Sequence, residues 1–281
     1  MKIGITGATG QLGSLVIEHL KSKTASENIV ALVRNQEKAA GLGVESRSFD
    51  YNDAETLKQS LSGIDYLLLI SSSEVGQRAR QHKNVIEAAK EAGVKWIVYT
   101  SLLHADTSSL SLAGEHLETE ALLKDAGIPV TILRNGWYTE NYLGSVDSAL
   151  KAGAFIGSAG EGKISSAARN DFAEAAAVVI SDPKHQGKVY ELAGDESYTL
   201  SDLAKEISKQ AGKEIPYNNL EEAQYAEILE SVGLPAEFAQ AIAGWDVSAS
   251  KGDLFDNSKT LSELIQRPTT PMRESVAQTL N

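Results

Sequence analysis

A glycine-spaced turn near the start of the chain constrains its fold more than any other feature. Ile3–Thr6 is short, apolar and β-branched, and Gly7-Ala8-Thr9-Gly10-Gln11-Leu12-Gly13 follows it at once, spaced G-x-x-G-x-x-G. Residues 11–23 then read as a helix. Small residues let the backbone turn tightly and approach a pyrophosphate, and the helix amino terminus offers free N–H groups and a positive dipole end. Gly13 allows the helix to pack closely on the strand. The context predicts nucleotide binding; a purely structural turn is the alternative.

The first half of the chain repeats this strand-then-helix pattern. Buried parallel strands are predicted at 3–6, 29–33, 66–70, 96–100 and 130–134, with a weaker one at 44–48. Helices are predicted at 11–23, 53–61, 77–92 and 112–126, with Gly93 and Gly127 stopping the last two. After about residue 140 the regularity loosens. A helix at 171–180, a strand at 189–192 and helices at 200–211, 221–232 and 236–244 are predicted there. The fold class is therefore α/β: a Rossmann-type parallel sheet with helices on both faces, plus a small, mainly helical C-terminal lobe. A nucleotide-binding domain over 1–150, completed by parts of 151–195, would precede a substrate lobe over 196–281. Ligands in such sheets bind beyond the carboxyl ends of the strands.

Those strand ends carry the candidate residues. Arg34 stands where an NAD site usually has an acid, and an arginine there forks onto a 2′-phosphate. NADPH is thus favoured over NADH. Asp50, at the end of the third strand, is placed to flank an adenine, and Ser71, Ser72 and Ser73 let a dinucleotide pass close to the backbone.

Composition narrows the function. The 281 residues contain 26 Lys+Arg against 38 Asp+Glu, a net charge of −12, which argues against nucleic acid or an anionic membrane as partner. With 0 cysteines, disulfides, thiolate metal sites and a cysteine nucleophile are excluded. The histidines His19, His82, His104, His116 and His185 show no metal-ligand spacing, so no metal is expected. His19 and His185 read as surface residues, and His82 as part of a solvated helix face, with a phosphate contact as the alternative. No apolar run approaches the ~20 residues of a membrane span. Met1 opens directly into a strand pattern, which predicts a cytoplasmic protein.

Gly7–Gly13, Arg34, Tyr99-Thr100-Ser101 and Leu133-Arg134-Asn135-Gly136-Trp137-Tyr138-Thr139-Glu140-Asn141 together resemble the NmrA-like group of atypical short-chain dehydrogenase/reductases. The stretches at 71–77 and 100–106 bring the resemblance nearest to its bacterial type 2 NAD(P)H:quinone oxidoreductases, and it covers essentially the whole chain. The resemblance implies NADPH as cofactor with NADH weaker, no flavin, and a quinone substrate in a cleft beside the lobe. It places the cofactor loop on Gly7, Thr9, Gly10, Gln11, Leu12 and Gly13, and the 2′-phosphate ligand on Arg34. Ser71–Ser73 fall on the nicotinamide side, and Arg169 near the phosphates. Asn135, Gly136, Trp137, Tyr138 and Asn141 would border nicotinamide and substrate. A monomer or homodimer is expected.

Most short-chain dehydrogenases use a Tyr-x-x-x-Lys pair to protonate an alkoxide. Here Leu112 and His116 stand at the aligned positions, with Glu120 one turn on. An alkoxide has a conjugate-acid pKa near ~16, whereas a hydroquinone monoanion resembles tyrosine at about 10. The difference of ~6 units is about 8 kcal/mol at roughly 1.36 kcal/mol per unit. A quinone can therefore accept hydride first and take its proton later. Trp137, Tyr138 and Tyr142 are the aromatic candidates to stack on it, Tyr138 before the other two, which read first as core. Asn135 and Asn141 are placed to hydrogen-bond the nicotinamide amide or a quinone oxygen, and His104 to supply a proton. The catalytic set is thus Tyr138, Asn135 and His104. Two other readings remain open: an NADP(H)-sensing regulator without turnover, and a reductase of other flat conjugated electrophiles such as cationic dyes.

Overall fold

In the computed structural model, which describes residues 1–280, the β-branched runs are extended and the segments between them coil. The strands are β1 Ile3–Thr6, β2 Ile29–Val33, β3 Glu45–Ser48, β4 Tyr66–Leu69, β5 Trp96–Leu102, β6 Val130–Asn135, β7 Phe155–Gly157, β8 Val189–Leu192 and β9 Tyr217–Asn219. Seven of them form one sheet in the order β3-β2-β1-β4-β5-β6-β8. The pairings from β3 to β6 are parallel and in register, Ile3 opposite Ile29 and Tyr66, and Tyr66 opposite Trp96. β2 and β4 flank β1 on opposite sides, so strand order reverses there, and a crevice opens at such a switch point.

The chain divides into two compact units. The first comprises residues 1–105, 114–135 and 169–191, the second 106–113, 136–168 and 192–281. In the first, alternate strand residues face opposite sides of the sheet, as the period of two requires. Val30, Leu32, Leu67, Leu69, Ile97 and Tyr99 pack against Leu57, Leu61, Val85, Ala89 and Leu123 from helices following β3, β4 and β5. The opposite face is covered by helices Gln11–Lys21 and Arg169–Ser181, which lie against each other.

The second unit pairs β7 with β9 in parallel. Its helices include Leu200–Ala211, Glu222–Ser231 and Ala236–Ser250. The last runs six residues past the predicted 244, because Gly244 sits inside the helix with Ala243, Asp246, Ser248 and Ala249 buried around it. Helices Thr139–Leu143 and Val146–Ala152, and the three-residue β7 and β9, were not predicted; they are too short to show a period.

Gly13 explains the tightness of the first turn. A Cβ built on it would stand 2.4 Å from the Gly7 carbonyl oxygen and 2.8 Å from Ala8 Cα, both backbone atoms that cannot swing aside. Gly13→Ala is expected to lower stability by about 1–3 kcal/mol, the usual cost of overpacking. Urea unfolding measures it; an unchanged midpoint would contradict the close approach.

Candidate functional site

A cavity of about 410 Å³ lies in the first unit, within the range of ordinary small-molecule sites. Its walls come from the carboxyl ends of four adjacent strands: Gly7, Thr9, Gly10, Gln11, Leu12 and Gly13 after β1, Arg34 after β2, Asp50 and Asn52 after β3, and Ser71, Ser72, Ser73 and Glu74 after β4. Eleven expected cofactor residues therefore share one cavity, namely Gly7, Thr9–Gly13, Arg34, Asp50 and Ser71–Ser73.

The floor is an uncapped helix. Gly10 precedes helix Gln11–Lys21 in extended conformation with no side chain to cap it, and the first turn carries no acid. Helix Leu200–Ala211 differs, since Thr199 and Asp202 close a capping box there. The N–H groups opening the first helix are thus left for an anion. Gly7, at φ 58°, adopts the left-handed conformation that glycine takes without strain, and its carbonyl accepts from Gly10 N–H at 2.9 Å.

The far wall, residues 70–73, is pinned from below. Thr6 Oγ1 accepts from Ile70 N–H, and Thr100 Oγ1 from Ser71 N–H, both at 2.9 Å. His82 Nε2 accepts from Ser72 N–H at 2.9 Å, while Arg78 Nε donates to Ser72 carbonyl at 2.9 Å. Because a backbone N–H can only donate, His82 Nε2 is unprotonated and Nδ1 carries the proton. Nδ1 donates to Thr119 Oγ1 at 3.0 Å, and Thr119 donates to Glu115 carbonyl at 2.9 Å. Burial, reinforced by Arg78, pushes the His82 pKa down to about 3. The solvated face expected for His82 is therefore corrected: it is 0% exposed. Helical spacing already carries the signal, because Arg78, His82, Val85 and Ala89 form one stripe, and all four are buried.

Gln81 adds a polar group to the lining. Its Nε2 donates to Glu74 Oε2 at 2.7 Å and to Asn52 Oδ1 at 3.3 Å, which fixes the orientation of the amide. Its Oε1 is buried and has no hydrogen-bond partner. An acceptor left in this way suits a donor on a bound ligand, such as a ribose hydroxyl or an adenine amine. The cradle at Gly13, the uncapped helix and this unmatched acceptor all fit a dinucleotide.

The other expected residues do not line the cavity. Arg169 begins the helix packed on Gln11–Lys21, where neighbouring Asn170 bonds His19 Nε2 at 2.9 Å. Asn135 ends β6 at 6% exposure, with its Oδ1 unpartnered. His104 is half-buried, in the left-handed region at φ 51°, and its N–H donates to Glu191 Oε2 at 2.9 Å. Gly136, Trp137, Tyr138 and Asn141 belong to the second unit. There the Trp137 and Trp245 rings meet edge to face at 5.7 Å, and Trp245 meets Phe238 at 6.0 Å. Tyr142 is core, as first read, with its hydroxyl 3.4 Å from Asp246 Oδ1. Burial raises Asp246 to a pKa of about 6. His185, expected on the surface, is 4% exposed and bonds Tyr190 Oη at 2.6 Å, an environment its flanking loop sequence does not reveal.

The sequence also gave no sign of an ionic cluster at the β5–β6 end. Arg134 donates to both oxygens of Glu120 at 3.0 and 2.8 Å and to Glu191 at 2.9 Å, and Ser101 Oγ donates to Glu120. His116 lies beside it, hydrogen-bonded through Nδ1 to Tyr99 Oη at 2.8 Å, and burial pushes its pKa down to about 3.

The model of the NmrA-like family matches residues 1–270. The chain belongs to the NmrA-like family. Within it, the chain is 60% identical to quinone oxidoreductase 2 of Escherichia coli (strain K12), over 99% of both proteins. The crystal structure of that NADPH-dependent quinone oxidoreductase with NADPH superposes with a TM-score of 0.97 at 60% identity, covering 99% of this chain and 100% of the other. A triphenylmethane reductase of Citrobacter sp., in complex with NADP(H), superposes with a TM-score of 0.95 at 38% identity, over 99% of this chain and 100% of the other. No helix among the described residues is long and apolar enough to cross a membrane.

The two neutral histidines set a pH dependence. In the unfolded chain each titrates near 6.5, and in the folded protein near 3. Between those values the unfolded chain binds more protons, so their contribution to stability is complete above about pH 6.5 and falls as pH drops. His82→Gln removes one such proton. The urea midpoint of the variant is expected to fall less than wild type between about pH 7 and pH 5. Parallel losses would contradict a neutral, buried His82.

Proposed function

We propose that this chain is an NADPH-dependent quinone reductase, carrying out a two-electron reduction of quinone to hydroquinone. The bound reduced nicotinamide supplies the hydride. The support is twofold: 60% identity over 99% of both chains to a quinone oxidoreductase, and one cavity joining an uncapped helix terminus to Arg34. Gly7, Thr9, Gly10, Gln11, Leu12 and Gly13 hold the pyrophosphate against the helix N–H groups. Arg34 holds the 2′-phosphate by charge-assisted hydrogen bonds. Asp50 flanks the adenine, and Ser71, Ser72 and Ser73 line the path toward the nicotinamide. Arg169, which is outside the cavity lining, is proposed to reach toward the phosphates.

Asn135, Gly136, Trp137, Tyr138 and Asn141 border nicotinamide and quinone. The unpartnered Asn135 Oδ1 accepts from the carboxamide, and Tyr138 stacks on the flat acceptor. His104 delivers a proton to the hydroquinone monoanion left by hydride transfer, which completes the hydroquinone. His116 does not take part, because it is buried and bonded to Tyr99. The acid missing at Leu112 is not needed for a product as acidic as a phenol, at pKa about 10. The likeness to a triphenylmethane reductase supports the same positioning chemistry on other flat conjugated acceptors. The nucleotide-binding domain is read as 1–150 with parts of 151–195 and the substrate lobe as 196–281, although residues 106–113 and 136–168 pack with the second unit. The protein acts in the cytoplasm as a monomer or homodimer.

Arg34→Ala is expected to weaken NADPH binding by roughly 10- to 100-fold, the scale of about 1.5–3 kcal/mol for hydrogen bonds to a charged group, with little effect on NADH. Fluorescence titration of both nucleotides checks this; equal losses would remove Arg34 from the 2′-phosphate. Tyr138→Ala is expected to abolish most quinone turnover while NADPH still binds. Steady-state rates beside the same titration decide it, and an unchanged kcat/KM would take Tyr138 out of the site.

A further inference from the structure

The cation at the end of β2 already has a partner. Arg34 Nη1 lies 3.0 Å from Glu74 Oε1, and both side chains line the cavity. Glu74 is not a loosely placed surface acid. Gln81, 1% exposed, donates to its second oxygen at 2.7 Å, and its own N–H donates to Ser72 Oγ at 3.1 Å. The charged lining is balanced, with Arg34 and Lys38 against Asp50 and Glu74. The carboxylate that NAD sites carry after their second strand is absent here, yet one reaches the same place from the loop after β4.

This arrangement treats the two dinucleotides differently. A 2′-phosphate must share the Arg34 guanidinium with Glu74 and sit beside a carboxylate, so like charges meet. A 2′-hydroxyl is a donor and can give its proton to Glu74 while the ion pair stays whole. We propose that Glu74 is a specificity-determining residue: by occupying Arg34 and accepting a ribose hydroxyl, it narrows the preference of the cavity for 2′-phosphorylated over 2′-hydroxylated dinucleotides. This rests on the reading of Arg34 as the 2′-phosphate ligand. Exposure limits the size of the effect, because side-chain exposures of 68% for Arg34 and 41% for Glu74 leave the pair screened.

Titration of the full-length protein with NADPH and NADH, at low and high salt, tests the proposal with wild type, Glu74→Gln, Glu74→Ala and Arg34→Ala. Glu74→Gln keeps the shape and removes the charge. The expected result is NADPH binding tighter by about fivefold, or about 1 kcal/mol at roughly 1.4 kcal/mol per tenfold. NADH binding stays equal or weakens, and high salt shrinks the difference. Glu74→Ala moves the ratio of the two dissociation constants in the same direction. A purely structural role would change both nucleotides alike. A ratio unchanged or narrowed in both Glu74 variants, with Arg34→Ala still collapsing it, overturns the role of Glu74 alone. A ratio that Arg34→Ala leaves at the wild-type value overturns the 2′-phosphate reading beneath it.

Discussion

The nucleotide cavity depends on how closely the first helix approaches the turn before it. Gly13 lets helix Gln11–Lys21 come within a distance of the Gly7 carbonyl that no side chain could share, the added Cβ standing 2.4 Å away. That approach brings the uncapped helix terminus to the carboxyl end of β1, the strand flanked by β2 and β4. The sheet supplies the crevice, and the helix supplies N–H donors that do not reorganise when an anion arrives. Arg34 and Asp50 need only follow β2 and β3 to reach the same space.

The opposite wall is rigid for a different reason. A segment after a strand has lost its ladder partners, and its backbone groups must bond elsewhere. Thr6, Thr100, His82 and Arg78 meet four of those groups between Ile70 and Ser72. Tyr51 adds a fifth contact, donating to Ile70 carbonyl at 2.9 Å, and its burial raises its pKa and keeps the phenol neutral. His82 acts here as an acceptor held neutral by burial, which suits positioning and not proton transfer. Near the β5–β6 end, Glu191 bonds both Arg134 and the His104 N–H, so the histidine loop is tied to the ionic cluster.

Local pattern was enough to read most of this fold. β1, β2 and β8 fall where the β-branched runs end, and the glycine spacing placed six residues of the cavity. Arg34, Asp50 and Ser71–Ser73 were found because strand ends in a parallel sheet converge on one edge. What escaped was set by distant partners. Nothing near Glu120 in the chain announces that it meets Arg134 and Ser101, and nothing near Glu74 announces Arg34. β7 and β9 have three residues each and exist through their pairing, not through any period of their own. His82 is different, because its place on the apolar stripe of its helix is legible in the sequence.

The proposed hydride transfer from NADPH to a quinone takes place in a chain without the usual proton-donating pair. The most direct test follows NADPH absorbance with flavin-free protein and a simple benzoquinone or naphthoquinone, with NADH in parallel. The expected result is enzyme-dependent oxidation with one hydroquinone formed per NADPH, faster with NADPH than with NADH. Tight NADPH binding with no turnover on any quinone would contradict the claim and point instead to a nucleotide sensor.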